Sequence, residues 1–250
     1  MFDFRNADDF KNVCGYEING LWYPRVTKIV EIKAKPALYR FYAEMKSYDQ
    51  GRAVTRQSAS EGTLIHNTFE KILLGEKPSI DPTIAPAIRG AVDFLEKNRI
   101  EVDPEFIERR VVNPEHRYAG TIDTLALIGG RFGILDIKTS KAIYRDYNLQ
   151  TAAYIEALKN QIPNLQTRWI MRIDQLCLCR LCDATLRSKG GRDKISNGRC
   201  PLDKHQWSEL QGVVELEEFP YWQDDFQGFL GAKKLWEWEN NYWLREINYF

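Results

Sequence analysis

The sequence predicts an α/β fold in which a mixed central sheet is flanked by helices. Two observations predict it. Segments with helical periodicity stand before, between and after segments rich in β-branched and aromatic residues, an order typical of layered α/β and α+β folds. Of the 250 residues, 44% are hydrophobic and 12% are aromatic, which supplies a packed core and argues against a disordered chain. The length predicts one large domain, or one domain with an insertion.

Three helices are predicted in the first hundred residues, over 36–45, 58–75 and 83–99. Pro36 suits the first turn of a helix, where an N–H group is not needed. Ser58 and Glu61 resemble a capping box, and Gly75 is typical of a helix C-terminus, so these residues predict both ends of the second helix. Apolar residues at helical spacing form one stripe on this helix, and His66 lies at its edge.

Extended segments follow, with strands predicted over 106–112, 118–128 and 132–138. Gly129 and Gly130 predict a hairpin turn between the second and third of these strands. The remaining elements are predicted as a helix over 148–160, strands over 169–173 and 213–219, and an amphipathic aromatic-rich helix over 225–246. A cysteine-rich segment separates the last two strands.

Two carboxylates interrupt the apolar strands on either side of the hairpin turn. Strand alternation places Asp136 and Lys138 on one face and Ile137 on the other, and a tight hairpin can bring Asp123 beside Asp136. Adjacent carboxylates repel unless a cation joins them, and hard oxygen ligands favour Mg²⁺ or Mn²⁺. A lysine beside such a metal can orient water or neutralise charge on a phosphoryl group, which is the chemistry of phosphodiester hydrolysis.

An isolated aspartate in a strand is more often an edge or surface residue, so either acid alone predicts little. Four motifs in a fixed order favour the functional interpretation, and they are Gly62-x-x-x-His66, Gly-Thr-Ile-Asp123, Asp136-Ile-Lys138-Thr-Ser and Gln150-x-x-x-Tyr154. Together they resemble the P-D-(D/E)-x-K nuclease superfamily, in particular its RecB-like branch, which includes the CRISPR-associated adaptation nucleases and the mitochondrial genome maintenance exonucleases. The resemblance runs from about Pro24 to about Leu158, roughly half of the chain.

The resemblance implies a restriction-endonuclease-like core and a DNA nuclease that depends on a divalent metal ion. It implies a ligand set for Mg²⁺ or Mn²⁺, namely His66, Asp123, Asp136 and the backbone carbonyl of Ile137. It also implies that Lys138 is the catalytic lysine. Gln150 and Tyr154 match the motif that supports the site and contacts DNA in this branch.

Three further observations concern the surroundings of this ligand set. A histidine at the edge of an apolar stripe is by default a satisfied helix residue, but Gly62, one turn earlier, lets the helix approach the sheet and favours His66 as a ligand. Glu70, four residues after His66, can either orient His66 or face solvent. Glu108 matches a position where some members of the branch carry an acid.

Four of the five cysteines lie close together, at Cys177, Cys179, Cys182 and Cys200. The pattern Cys179-x-x-Cys182, then Cys200 and His205, supplies the thiolate and imidazole ligands of a structural Zn²⁺ site. It predicts a zinc-binding basic insertion over 176–205, with the nuclease core formed by 1–175 and 206–250. Between the two halves of the pattern, 187–194 is predicted to be a flexible basic loop that contacts phosphates. One alternative is an iron–sulfur cluster that uses Cys14 with the downstream cysteines, and another is a set of free buried cysteines.

The chain shows no apolar run near the roughly 20 residues of a membrane helix, and its first residues do not resemble a signal peptide. We therefore expect an intracellular, cytoplasmic protein with no membrane partner.

The leading hypothesis is an exonuclease that acts on single-stranded DNA or DNA ends, with partners in replication, repair or recombination. One alternative is a non-catalytic nucleic-acid-binding or assembly subunit on a nuclease-like fold, and another is a zinc-stabilised protein-interaction module.

A net charge of zero at first argues against a nucleic-acid partner, but the charge is unevenly distributed. The segment 24–56 has a net charge of +5 and 176–205 of +4, whereas 206–250 has a net charge of −6. The aromatic residues of 24–56 can stack on bases or pack within helices. This pattern predicts DNA binding in a local groove, away from the acidic C-terminal tail.

Overall fold

The computed structural model describes residues 4–201 and 204–250. Within these ranges the chain forms eight α-helices, numbered α1 (Ala7–Cys14), α2 (Val26–Val30), α3 (Pro36–Ala43), α4 (Tyr48–Leu73), α5 (Ala85–Asn98), α6 (Asp146–Leu158), α7 (Gln223–Glu239) and α8 (Asn241–Glu246). The same ranges contain eleven strands, numbered β1 (Gly15–Ile18), β2 (Leu21–Pro24), β3 (Glu101–Val102), β4 (Arg109–Asn113), β5 (Tyr118–Ile122), β6 (Thr124–Ile128), β7 (Arg131–Lys138), β8 (Thr167–Leu178), β9 (Thr185–Lys189), β10 (Arg192–Ser196) and β11 (Gln211–Glu218). In this described part of the chain, no helix is both long and apolar enough to span a membrane.

A seven-stranded central sheet contains both parallel and antiparallel pairs. Its main path follows the order β10-β9-β8-β7-β6-β3, and β11 pairs with β8. Strands β7 and β8 are parallel, whereas β6 with β7 and β11 with β8 are antiparallel. Helix α6 connects the parallel pair, since parallel neighbours need a long crossover. The predicted α/β fold, with a mixed central sheet flanked by helices, is confirmed.

Two hydrophobic cores lie on opposite faces of this sheet. Ile134 of β7 packs in a core with residues of α1, α2, α6 and α7, whereas its neighbour Leu135 packs in a core with residues of α4 and α5. Side chains alternate along a strand, so Asp136 lies on the face of Ile134 and Ile137 on the face of Leu135. Strand β7 therefore presents its polar residues toward α6.

The predicted start of α4, near Ser58, is wrong, because the helix begins about three turns earlier. The helix begins at Tyr48, because Ser47 is its N-cap and accepts a hydrogen bond from the backbone N–H of Gln50 at 3.2 Å. Gln50 Oε1 accepts a hydrogen bond from the backbone N–H of Lys46 at 3.3 Å, one residue before the N–H that a capping box would satisfy. Ser58 lies inside the helix.

Three further differences change the number or kind of the predicted elements. The strand predicted over 118–128 is divided at Asp123 into β5, which pairs with β4, and β6, which pairs with β7. The C-terminal helix is divided at Asn240 into α7 and α8. The segment predicted as a flexible basic loop is an antiparallel hairpin of β9 and β10, with Gly190 and Gly191 at its turn in the left-handed region. Two glycines with positive φ make this two-residue turn possible.

Candidate functional site

Asp136 and Lys138 form the centre of the candidate site at the C-terminal end of β7. The Asp136 side chain is fully buried, and its Oδ2 lies 2.7 Å from Lys138 Nζ. Its other oxygen, Oδ1, accepts a hydrogen bond from Gln150 Nε2 of α6 at 3.1 Å. Lys138 Nζ also lies 5.2 Å from the centre of the Tyr147 ring, where the face of an aromatic ring stabilises a cation. Both β7 residues thus face α6.

Asp123 lies at the break between β5 and β6, where its carboxylate links β7 to α4. Its Oδ2 accepts a hydrogen bond from the backbone N–H of Ile137 at 2.5 Å, and its Oδ1 lies 3.5 Å from His66 Nε2. Its backbone carbonyl accepts a hydrogen bond from the N–H of Glu108 at 3.0 Å. The strand break therefore brings Asp123, His66 and Glu108 to one place.

The structure brings together one group of three donors next to Asp123. His66, Glu70 and Glu108 each offer a ligand atom, and these atoms lie within 4.8 Å of one another. His66 and Glu70 are one turn apart on α4, whereas Glu108 is contributed by the segment before β4, where its φ of 50° is left-handed. Neither Glu70 nor Glu108 belonged to the predicted ligand set, because only the tertiary fold places Glu108 beside α4.

Helix α6 supports the buried carboxylate through Gln150 and Tyr154. Gln150 Nε2 lies 3.1 Å from the Tyr154 hydroxyl as well as from Asp136 Oδ1. The Tyr154 ring packs against Gly120 of β5, where an added Cβ would lie 2.4 Å from the ring. The glycine of the Gly-Thr-Ile-Asp motif is therefore needed for Tyr154 to fit beneath the site.

The ionisable groups of the site shift one another's pKa values. Burial, aided by the charge of Asp123, raises the pKa of Asp136 to about 6, although Lys138 opposes this shift. Burial also opposes the ionisation of Asp123, but His66 and Lys138 outweigh it and hold the pKa of Asp123 below its usual value. The hydrogen bond with Asp123 raises the pKa of His66, and burial, with Asp123 adding to it, raises the pKa of Glu108 to about 7. The carboxylates outnumber the cations, so the site favours a bound cation.

The donor chemistry fits a divalent metal ion. Carboxylate oxygens are preferred ligands of Mg²⁺ and Mn²⁺, and the His66 imidazole is a ligand better suited to the softer transition metals than to Mg²⁺. Asp136 Oδ2 is buried and accepts no hydrogen bond of good geometry, although Lys138 Nζ is close. The close three-donor group contains His66 but neither Asp123 nor Asp136, and metal binding by those two acids and by the Ile137 carbonyl stays a prediction.

A second group of metal-ligating side chains lies at the base of the β9–β10 hairpin. The ligand atoms of Cys179, Cys182, Cys200 and His205 lie within 4.8 Å of one another. His205 Nδ1 is 3.4 Å from Cys179 Sγ and 3.7 Å from Cys182 Sγ. This cysteine and histidine group could bind a metal such as zinc, whose structural sites have these ligands in a tetrahedral arrangement.

The thiols of this group influence one another. Burial opposes the ionisation of Cys179, but hydrogen bonds from backbone N–H groups, including that of Leu181, lower its pKa to about 7. The pKa of Cys200 is raised to about 11, mainly by the neighbouring Cys182. All of these thiols can therefore ionise together only with a cation between them. Cys14, which the iron–sulfur alternative requires, is buried in the core with Trp22 and is not part of the group.

Comparison with known proteins adds little to this geometry. No family model and no curated protein matches the chain. Among the solved structures that are similar to it is the crystal structure of LHK-Exo in complex with dAMP, which matches over 90% of this chain and 93% of that chain, with 11% sequence identity and a TM-score of 0.35.

Proposed function

We propose that this protein is a DNA nuclease that hydrolyses phosphodiester bonds with Mg²⁺ or Mn²⁺. The observation that carries the proposal is the meeting of Asp136, Lys138, Asp123 and His66 at the end of β7, with an acid-rich group beside them. A buried carboxylate–lysine pair next to further carboxylates is unfavourable for stability alone, since desolvated charges are seldom fully compensated. A catalytic role explains why these groups lie together.

The chain's own residues have distinct roles in this proposal. His66, Asp123, Asp136 and the Ile137 carbonyl hold the divalent ion, with Glu70 and Glu108 within reach. When bound, this ion activates water and stabilises negative charge on the phosphoryl group. Lys138 carries its positive charge at the same place, where it can orient the attacking water or neutralise a phosphoryl oxygen. Gln150 and Tyr154 hold the Asp136 carboxylate in position.

Single-stranded DNA or a DNA end is the proposed substrate, and the support comes from α3 and the start of α4. Helix α3 has no buried side chain, and Tyr39 and Tyr48 are 61% and 67% exposed. Arg52 lies over the Tyr48 ring at 5.9 Å from its centre. Exposed aromatic rings beside arginines are typical of surfaces that stack unpaired bases.

The test is digestion of end-labelled and end-blocked DNA, single- and double-stranded, with Mg²⁺ or Mn²⁺, followed by product sizing. We expect degradation from free ends, and we expect Asp136→Ala and Lys138→Ala to abolish it without loss of folding. Wild-type cleavage by both variants would exclude this site. Binding of DNA without any degradation would favour the non-catalytic alternative.

We also propose that Cys179, Cys182, Cys200 and His205 hold a structural Zn²⁺. Metal analysis of the purified protein tests this assignment, with about one zinc per chain as the expected result. Iron with acid-labile sulfide and a brown colour would contradict it.

A further inference from the structure

Three elements meet one helical turn away from the candidate site. Lys189 at the end of β9 donates a hydrogen bond from Nζ to the backbone carbonyl of Thr139. Next to it, the backbone N–H of Gly190 donates to Glu61 Oε2 of α4 at 3.0 Å. Through these two bonds, the tip of the β9–β10 hairpin contacts both the end of β7 and α4.

Close packing fixes this junction. An added Cβ at Gly62 of α4 would lie 2.5 Å from Thr139 Oγ1 and 3.9 Å from Lys189 Nζ. Gly190 has a φ of +66°, and an added Cβ there would lie 2.4 Å from the backbone carbonyl oxygen of Val54 and 2.2 Å from Ser58 Oγ. Replacing Gly190 would therefore move the tip of the hairpin away from α4, whereas replacing Gly62 would displace the Thr139 side chain.

The junction adjoins the residues of the proposed active site. His66 follows Gly62 by one turn of α4, and Thr139 directly follows Lys138. The hairpin is attached at two further places. In the middle of β9, Arg187 Nε lies 2.6 Å from Asp174 Oδ2 of β8, and the cysteine and histidine group lies at the base of the hairpin.

We propose that the β9–β10 hairpin is a positioning element, in which Lys189 and Gly190 hold the His66-bearing helix against the Lys138-bearing strand and the metal group at the base holds the hairpin. This inference rests on the proposed nuclease function for its kinetic consequence, but not for its structural one. In this role of the hairpin, Lys189 is a positioning residue that contacts neither substrate nor metal.

The competing role for the hairpin is direct contact with DNA phosphates, and the charges on the hairpin distinguish the two. Lys189 is half-buried, and its ammonium donates a hydrogen bond to the Thr139 carbonyl. Arg187 is paired with Asp174, and Arg192 Nη2 lies 3.4 Å from Glu44 Oε2. Lys194 of β10 is exposed and carries the same charge on the same hairpin, so it is the matched control.

The kinetic test compares Lys189→Met, Lys189→Arg and Glu61→Gln with Lys194→Met in the full-length protein. If the hairpin positions the site, Lys189→Met lowers kcat about 10- to 100-fold with little change in the dissociation constant for single-stranded DNA, because a shift near 1 Å is enough for such a loss. Lys189→Arg restores most of kcat, Glu61→Gln lowers it less, and Lys194→Met leaves it within about twofold. Equal effects of Lys189→Met and Lys194→Met, on DNA affinity alone, would overturn the proposal.

A second measurement does not depend on cleavage. Hydrogen–deuterium exchange reports local opening, and we expect faster exchange over residues 58–66 in Lys189→Met and in Cys179→Ser/Cys182→Ser, but not in Lys194→Met. Circular dichroism and the thermal transition show whether each variant is folded. Unchanged exchange in folded Lys189→Met would contradict the positioning role. If the wild-type protein proved not to cut DNA, the exchange result would still decide this inference.

Discussion

The environment of Asp136 shows how single residues hold the candidate site. Its carboxylate is fully buried, pairs with Lys138 and accepts a hydrogen bond from Gln150. Gln150 has two donor hydrogens on Nε2 and places this nitrogen near both Asp136 and the Tyr154 hydroxyl. The amide of Gln150 therefore connects the carboxylate to a buried tyrosine on α6, and each group sets the position of the next.

This chain of contacts predicts graded effects of substitution. Tyr154→Phe removes one hydroxyl but leaves the bond from Gln150 to Asp136, so we expect a loss of about 1 kcal/mol in the free energy of unfolding. Gln150→Ala leaves Asp136 Oδ1 without a partner and should cost about 1–3 kcal/mol. Urea denaturation measures both, and kcat should fall further in Gln150→Ala than in Tyr154→Phe. The reverse order would show that Tyr154 holds the site without Gln150.

Lys189 predicts a pH dependence of stability. Burial lowers the pKa of Lys189 to about 8, below its value in an unfolded chain. Between about pH 8 and pH 10 the unfolded state therefore binds more protons than the folded state. The contribution of Lys189 to the free energy of unfolding rises with pH over this range. The slope is at most about 1.4 kcal/mol per pH unit. We expect the difference in the free energy of unfolding between the wild type and Lys189→Met to be more favourable to the wild type at pH 9.5 than at pH 7.5, as measured by urea denaturation. An equal difference at the two pH values would contradict the lowered pKa of Lys189.

At the scale of elements, the long helix α4 connects the exposed aromatic surface to the candidate site. Its first turns lie beside α3, Gly62 contacts Thr139, and His66 lies beside Asp123. A 26-residue helix of this kind depends on a defined start, because its first N–H groups have no partner within the helix. Ser47 supplies that start.

The role of Ser47 as the N-cap of α4 can be tested by substitution. Ser47→Ala removes the acceptor for the Gln50 N–H and should lower the free energy of unfolding by about 1 kcal/mol. Ser60→Ala is the matched control, since Ser60 is exposed inside the helix, where alanine is more favourable than serine. We expect the control to be neutral or slightly stabilising in urea denaturation. An equal loss in Ser47→Ala and Ser60→Ala would contradict the capping role of Ser47.

Local sequence patterns predicted the fold class and most elements, because helix and strand periodicity act over neighbouring residues. They predicted Ser58 instead of Ser47 as the cap of α4, because both serines are followed three residues later by a residue that can complete a capping box and the pattern does not distinguish them. They did not show the break at Asp123, which depends on hydrogen bonds from the N–H groups of Ile137 and Glu108. Lys189 had no signal in the sequence, because its partner at Thr139 is distant along the chain.

At the scale of the whole molecule, zero net charge hides a separation of charge along the chain. The segment 24–56 carries eight basic and three acidic residues, whereas 206–250 carries three basic and nine acidic residues. The hairpin contacts the basic segment through Arg192 and Glu44, so the two basic segments adjoin. Charges separated by more than about 10 Å are screened at physiological salt, so the local basic surface governs contact with a polyanion.

This separation predicts which basic residues affect DNA affinity. Arg52 and Arg56 are exposed on α4 beside the exposed Tyr48, whereas Lys234 is exposed on α7 in the acidic C-terminal segment. We expect Arg52→Gln/Arg56→Gln to weaken binding to single-stranded DNA and to reduce the slope of log K against log salt by about 1.4, near 0.7 for each lost phosphate contact. Lys234→Gln should change neither the affinity nor the slope, because Lys234 lies in the acidic segment 206–250 and not in the basic segment 24–56. Fluorescence anisotropy with a labelled oligonucleotide from 50 to 200 mM salt measures both quantities. An equal loss for each charge removed in the two variants would mean that DNA responds to total charge, which would contradict a binding surface on α3 and α4.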